Sequence, residues 1–309
     1  MWASPAGAVQ ARGLASARGA AGAGSPVQQA EALVAKMTLD EKITELHGIQ
    51  NAQHQRYVPG VPRLGIPPLV ITNGPAGVGP GDDPVQQPAT ALPATISLAA
   101  SFDPALARQY GQLIGNETAD LGASLLEGPD VNIVRVPQAG RTFESFSEDP
   151  YLDASIGAAE IQGIQSRRGV IAEVKHFDAY NQETYRNTPA DDDIVSTRTL
   201  HEIYFPAFEQ AVTKGGAQAV MCSYASINGT YSCQDSYLLT TTLVQRWGFS
   251  GFVQSDFGAT HSTAASAAAG MALEMPTATT TRRPCSRRCS PARSRCPRST
   301  TCWSSGSPR

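Results

Sequence analysis

The sequence predicts an α/β fold built on a parallel sheet, and two observations carry that expectation. From about residue 26, short apolar runs alternate with segments of helical period, the arrangement of successive βα units. The 309 residues are 41% hydrophobic and 17% charged, a globular balance unlike that of disordered or coiled-coil chains. Periodicity alone leaves open whether the sheet stays open or closes into a barrel.

Thr38-Leu39-Asp40-Glu41 reads as a capping box, in which hydroxyl and carboxylate each satisfy a free helix-end amide, and predicts a helix through Glu45. Leu69 to Thr72 is the first apolar run, ending at Asn73. Asp103-Pro104 opens a second helix, with Asp as cap, Pro preset for the first turn, and Leu106, Tyr110, Leu113 and Ile114 as the apolar stripe. Val170 to Val174 is the next run, before Lys175-His176. Leu200, Ile203, Tyr204, Ala207, Phe208, Ala211 and Val212 then recur at helical spacing as far as Lys214-Gly215-Gly216, where glycine suits a left-handed helix end. Pro206 either kinks this helix or marks its true start.

Ala219 to Met221 before Ser223-Tyr224, Phe252-Val253 before Ser255-Asp256, and Met271 to Met275 complete the series. Buried parallel strands read as such runs, and in a barrel the polar residues at their carboxyl ends converge on one open face. The plain alternative is that Lys, His, Tyr and Asp here simply begin surface loops.

The two ends stand apart. Residues 1–25 are rich in Ala, Gly and Ser and lack the apolar block of about 7–15 residues that a secretory signal needs, so they are read as disordered or as a misassigned start. Localisation is left open, extracellular included. Residues 277–309 hold eight Arg and no Asp, Glu or Lys, and four of the six cysteines, at 285, 289, 296 and 302. Their Arg, Pro, Ser and Cys enrichment reads as a frameshifted, disordered tail; no close Cys-x-x-Cys pair and no His argue for a metal site. The net charge of −3 offers no global basic field for nucleic acid, and no apolar run reaches the roughly 18 residues of a membrane span.

Six ordered segments resemble the amino-terminal barrel of glycoside hydrolase family 3, in its β-glucosidase-like branch. They are Arg63-Leu64-Gly65-Ile66-Pro67, Asn73-Gly74-Pro75-Ala76-Gly77-Val78, the eleven residues from Gly140 to Pro150, Lys175-His176-Phe177, Met221-Cys222-Ser223-Tyr224 and Ser255-Asp256-Phe257. The resemblance implies a (β/α)8 TIM-type barrel over residues 26–276, incomplete at its carboxyl end. It further implies retaining hydrolysis of a terminal β-D-glucosyl or related residue from an oligosaccharide or an aryl or alkyl glycoside, without metal or organic cofactor.

Residue by residue, Asp256 occupies the position of the family's nucleophile, where an ionised carboxylate attacks the anomeric carbon. Arg141, Lys175, His176, Arg186 and Tyr224 occupy positions of the groups that grip the sugar, as types able to donate or accept hydrogen bonds to hydroxyls. Asn73 departs from the family's usual Asp; an amide has one accepting oxygen and no charge, so Asp82 or Asp83 is the expected substitute acceptor. Glu144 and Glu183 are read as partners of Arg141 and Arg186, with no catalytic role. Gly74, Gly77, Gly79 and Gly81 read as tight turns rather than a phosphate loop, since no Gly-Lys-Ser/Thr follows. Cys222 and Cys233 either pair, as family members with this spacing often do, or remain buried thiols.

Retaining chemistry needs a second carboxyl about 5–5.5 Å from the first. The resemblance assigns it to a Glu in a following α/β domain, which this sequence does not contain; the rival expectation is therefore an inactive truncated barrel. A further rival, Lys175 as a Schiff-base amine, leaves the other five segments unexplained.

Overall fold

The protein is described by a computed structural model that covers residues 25–79 and 87–278. Asp82, Asp83, Gly81 and Cys285, Cys289, Cys296 and Cys302 lie outside the described residues, as do residues 1–24 and all of the tail beyond Ala278. The chain divides into two compact units, Met1–Thr38 and Leu39–Arg309. The first contains one described helix, α1 (Pro26–Val34), whose Ser25 cap and Gln28 exchange hydrogen bonds in a capping box of their own.

In the second unit a helix, α2 (Leu39–Thr44), forms where expected, and Glu45 N–H still bonds to Glu41 O. Strands β1 (Tyr57–Val58) and β2 (Leu69–Asn73) run antiparallel. Two helices follow, α3 (Thr95–Ala99) and α4 (Pro104–Asp120), then β3 (Leu125–Glu127), α5 (Pro150–Ile164) and β4 (Ile171–Phe177). Beyond the short β5 (Asp192–Asp193), helix α6 (Thr197–Thr199) passes through a wider π turn, Leu200–Tyr204, into α7 (Phe205–Thr213). Pro206 thus sits in the first turn of α7, where its missing N–H costs nothing, and Gly216 takes a left-handed φ of 71° after the helix.

The remaining elements are β6 (Ala219–Cys222), the hairpin β7 (Ser226–Ile227) and β8 (Thr230–Tyr231), a π helix over Tyr237–Arg246, β9 (Phe252–Ser255) and α8 (Thr263–Ala269). Strands β2, β3, β4, β6 and β9 are parallel neighbours in that order, with β1 on the outer edge of β2. The sheet curls. Past β9, Leu273 bridges Gln254, Glu274 bridges His47, and Ile49 bridges Tyr57 of β1, so the hydrogen-bonded path returns to its first strand.

Two expectations about faces are corrected. The buried face of α4 is Ala107, Gly111, Ile114, Gly115 and Thr118, while Leu106 and Leu113 are exposed. The reason is close backbone contact: a Cβ on Gly111 would lie 2.2 Å from Glu160 O of α5, and one on Gly115 would lie 2.4 Å from Ile164 O. Small residues set that interface, so the largest apolar side chains mark the wrong stripe. Likewise Ile203 is 38% exposed, since the π turn rotates it off the apolar face that Leu200 and Tyr204 keep.

Deep in the α5 interface, Glu160 is fully buried and neither carboxylate oxygen has a hydrogen-bond partner among the described residues. Burial raises its pKa well above 4.5. A raised folded value means that the folded state keeps the proton that the unfolded chain releases, so stability is intact below about pH 4.5 and falls as pH rises towards the folded value. A Glu160→Gln variant removes this titration. Its thermal midpoint should exceed the wild type's by a margin that grows from pH 4 to pH 8, whereas a constant margin would contradict the assignment.

Candidate functional site

The carboxyl ends of β2, β4, β6 and β9 meet at one face, so the polar strand ends converge and do not begin separate surface loops. Asn73 closes β2, Lys175 and His176 lie near the end of β4, Tyr224 follows β6, and Asp256 follows β9. Successive strand residues normally face opposite sides, yet Lys175 and His176 are both buried at the site. A bulge explains it: between Val174 and Phe177 the register of β4 slips against β6, so the alternation changes parity. Phe177 then points the other way, into an aromatic cluster with Phe205, Phe208 and Trp247.

Asp256 is 8% exposed. Its Oδ1 accepts the Phe257 amide at 2.7 Å, and its Oδ2 faces His176 Nε2 at 3.7 Å, beyond hydrogen-bonding distance. Burial raises its pKa, opposed by the Phe257 amide and by the cations Arg141 and Lys175. His176 is held well below its usual value, first by burial and then by the charges of Arg141 and Lys175, so the ring is neutral. Its Nδ1 meets Asn132 Oδ1 at 3.0 Å and Asp130 Oδ2 at 3.5 Å. Asn132 also takes the His176 amide on that same Oδ1 and donates Nδ2 to His176 O, which fixes which end of the amide is oxygen. Facing two acceptors, Nδ1 carries the proton, which leaves the Nε2 lone pair on the Asp256 side of the ring.

Around them runs a ring of alternating charge. Lys175 Nζ donates to Asn73 Oδ1 at 3.0 Å and lies 3.9 Å from Glu144 Oε2. Arg141 makes a two-pronged bond to Glu144, 2.9 Å on each arm, with Glu183 at 3.6 Å. Although burial pushes Glu144 up, the Arg141 hydrogen bond and Lys175 hold it below the ordinary range. Glu183 accepts from Tyr180 OH at 2.8 Å and Arg186 Nη1 at 2.7 Å, and the Arg186 guanidinium lies 4.7 Å above the Tyr224 ring. Burial, then the charge on Asp256, raises the Tyr224 phenol, which stays protonated as a donor.

All seven residues singled out from the sequence therefore fall on one connected surface, and Glu144 and Glu183 are the partners of Arg141 and Arg186. The amide oxygen of Asn73 is occupied by Lys175, which leaves its NH2 for another contact. Lys175 itself is buried between Asn73 and Glu144, within the same network as the other expected sugar contacts. Gly74 is required where it stands: at φ 148° a Cβ would lie 1.9 Å from Gly77 O. Cys222 and Cys233 are bonded, with Cα atoms 5.2 Å apart, which ties the end of β6 to the loop after β8.

Sequence reading missed the layer beneath. Gln254 Nε2 donates to Glu127 Oε1 at 3.0 Å and to Glu173 Oε2 at 3.1 Å, and Arg56 Nε donates to Glu127 Oε2 at 2.9 Å. Burial, and then the neighbouring Glu127, raises Glu173 well above the usual carboxylate range. Asp130, pushed up to about 7 by burial against the pull of Arg141, was missed as well. The available signal was two-residue spacing: Glu173 precedes Lys175, and Gln254 precedes Asp256, on the same strand face.

Comparison with known proteins follows the same span. Residues 31–278 match the glycosyl hydrolase family 3 N terminal domain. A β-glucosidase of Rhizobium radiobacter is 45% identical over 242 residues, 78% of this chain and 29% of that protein. An exo-α-(1→6)-L-arabinopyranosidase of Bifidobacterium longum is 42% identical over 251 residues, 79% of this chain and 32% of that protein. Among solved structures, DesR, a β-glucosidase from Streptomyces venezuelae in complex with D-glucose, superposes with a TM-score of 0.75 at 43% identity, over 80% of this chain and 31% of that one. The chain spans about a third of the length of the curated relatives it matches.

Proposed function

The chain belongs to the glycosyl hydrolase family 3 N-terminal domain family, and on that premise we propose that it is the sugar-binding, nucleophile-bearing part of a retaining β-glycosidase. The fold we propose is the (β/α)8-type barrel, supported by the curled parallel sheet and the bridges that lead from β9 through Leu273, Glu274 and His47 to β1. The observation that carries the function is the buried carboxylate of Asp256 at the end of β9, ringed by His176, Lys175, Arg141 and Tyr224.

In this reading Asp256 attacks the anomeric carbon as the aglycone oxygen departs, giving a glycosyl-enzyme with inverted configuration; water then displaces the carboxylate with a second inversion. The cations matter because they favour the ionised nucleophile against burial and neutralise its charge in a dry site. Neutral His176 accepts from a sugar hydroxyl at Nε2, while Lys175, Arg141 and Arg186 donate to others. The proton for the leaving group comes from a carboxyl in sequence outside the matched residues, in keeping with relatives about three times as long. A glucosyl unit is the first choice of substrate, on the β-glucosidase relatives and the D-glucose complex.

The experiment is proton NMR of products from 2,4-dinitrophenyl β-D-glucopyranoside, whose leaving group needs no protonation, with azide present as a nucleophile that needs no general base. The β-configured glucosyl azide is expected. An α-configured product, or no dinitrophenolate release above the uncatalysed rate, would overturn the proposal.

A further inference from the structure

Arg186 is the most exposed of the proposed sugar contacts, with 44% of its side chain in solvent, and a long flexible cation there needs holding before it can select a hydroxyl. The backbone around it is unusual. Tyr185 and Asn187, on either side of Arg186, both take left-handed φ values, 60° and 63°. Non-glycine residues rarely adopt that conformation, and when they do the surrounding structure must enforce it.

The enforcing contacts come from Asn187. Its Nδ2 donates at 3.2 Å to the carbonyl of Gly258, two residues after Asp256. Its Oδ1 meets His261 Nε2 at 2.9 Å, which places the ring proton on that nitrogen. His261 in turn lies flat on Tyr231, ring centroids 3.7 Å apart and planes 14° apart. Tyr231 is two residues from Cys233, whose bond to Cys222 anchors this loop to the end of β6. One amide thus joins the turn that presents Arg186 to the turn that follows Asp256, and a braced imidazole keeps that amide in place.

We propose that Asn187 is a positioning residue for glycoside binding, its side chain locking the Arg186 turn onto the Asp256–Gly258 turn with His261 as the brace. Asn187 and His261 need not touch substrate for this; they act through Arg186. The inference rests on the glycosidase reading above.

The test is inactivation kinetics with 2,4-dinitrophenyl 2-deoxy-2-fluoro-β-D-glucopyranoside, which separates binding (Ki) from the glycosylation step (ki). Asn187→Gly suits the left-handed backbone and deletes only the amide, so the turn survives. About tenfold weaker Ki is expected, as for loss of one charge-assisted hydrogen bond, with ki within about twofold and a thermal midpoint within about 3 °C of wild type. His261→Ala should weaken Ki in the same direction, and His261→Gln, which restores an N–H donor, should recover it. A wild type that reacts normally while Asn187→Gly and His261→Ala match it in Ki overturns this inference alone. A wild type that takes no label removes the glycosidase reading and this inference with it.

Discussion

Asp256→Ala should abolish hydrolysis of an activated aryl β-glucoside, with a fall of roughly 10⁴-fold or more in kcat, the scale seen when a covalent nucleophile is removed. The fold should survive, because the Asp256 carboxylate bonds only locally, to the Phe257 amide and the Tyr224 hydroxyl, and holds no ion pair at hydrogen-bonding distance among the described residues. Deleting a partly desolvated carboxylate removes a destabilising burial term, so the thermal midpoint of the variant should equal or exceed that of wild type. Steady-state rates together with a melting curve check both parts. Activity within about tenfold of wild type would exclude Asp256 as nucleophile.

The largest stability effect should come from Arg56→Met. Arg56 and Glu127 are 6% and 2% exposed, hydrogen-bonded at 2.9 Å, and Arg56 also lies over the Phe257 ring at 4.6 Å. Removing the guanidinium leaves the Glu127 charge buried beside Glu173, whose carboxyl Glu127 already pushes towards its neutral form. Breaking such a pair costs about 3–5 kcal/mol, whereas replacing both partners with apolar groups costs far less. Chemical denaturation of Arg56→Met and of Arg56→Met with Glu127→Leu measures this; the double variant should be the more stable. A single variant as stable as wild type would mean that the pair contributes nothing.

The strand ends were legible because polar residues close the apolar runs, while the roles expected of those residues came from the resemblance to the family and not from the spacing. Lys175-His176 and Ser255-Asp256 each end a strand, and parallel strands must bring such ends together. The helix caps at Asp103 and Asp149 are set by local chemistry, each carboxylate accepting two first-turn amides, and only the first was read as a helix start. What stayed hidden depends on tertiary contact. Glu173 lies inside a run read as apolar, and its carboxylate finds a hydrogen-bond donor in Gln254, 81 residues further along the chain. The face of α4 followed glycine contacts with α5 rather than its leucines. The Asn187–His261 link joins residues 74 apart, and no spacing rule connects them. Strand β3, Leu125–Glu127, is too short to stand out as a run, yet it supplies the buried acid that Arg56 needs.

The central claim is that Asp256 forms the bond to sugar, and the most direct measurement is to locate that bond. Fluorine at C2 slows both steps through the oxocarbenium-like transition state, while a dinitrophenyl leaving group keeps the first fast, so the glycosyl-enzyme accumulates. Intact-mass analysis followed by peptide fragmentation of the labelled chain should place one fluoroglucosyl group on Asp256. A label on Asp130, Glu144 or any other side chain, or an unlabelled chain, would contradict the account.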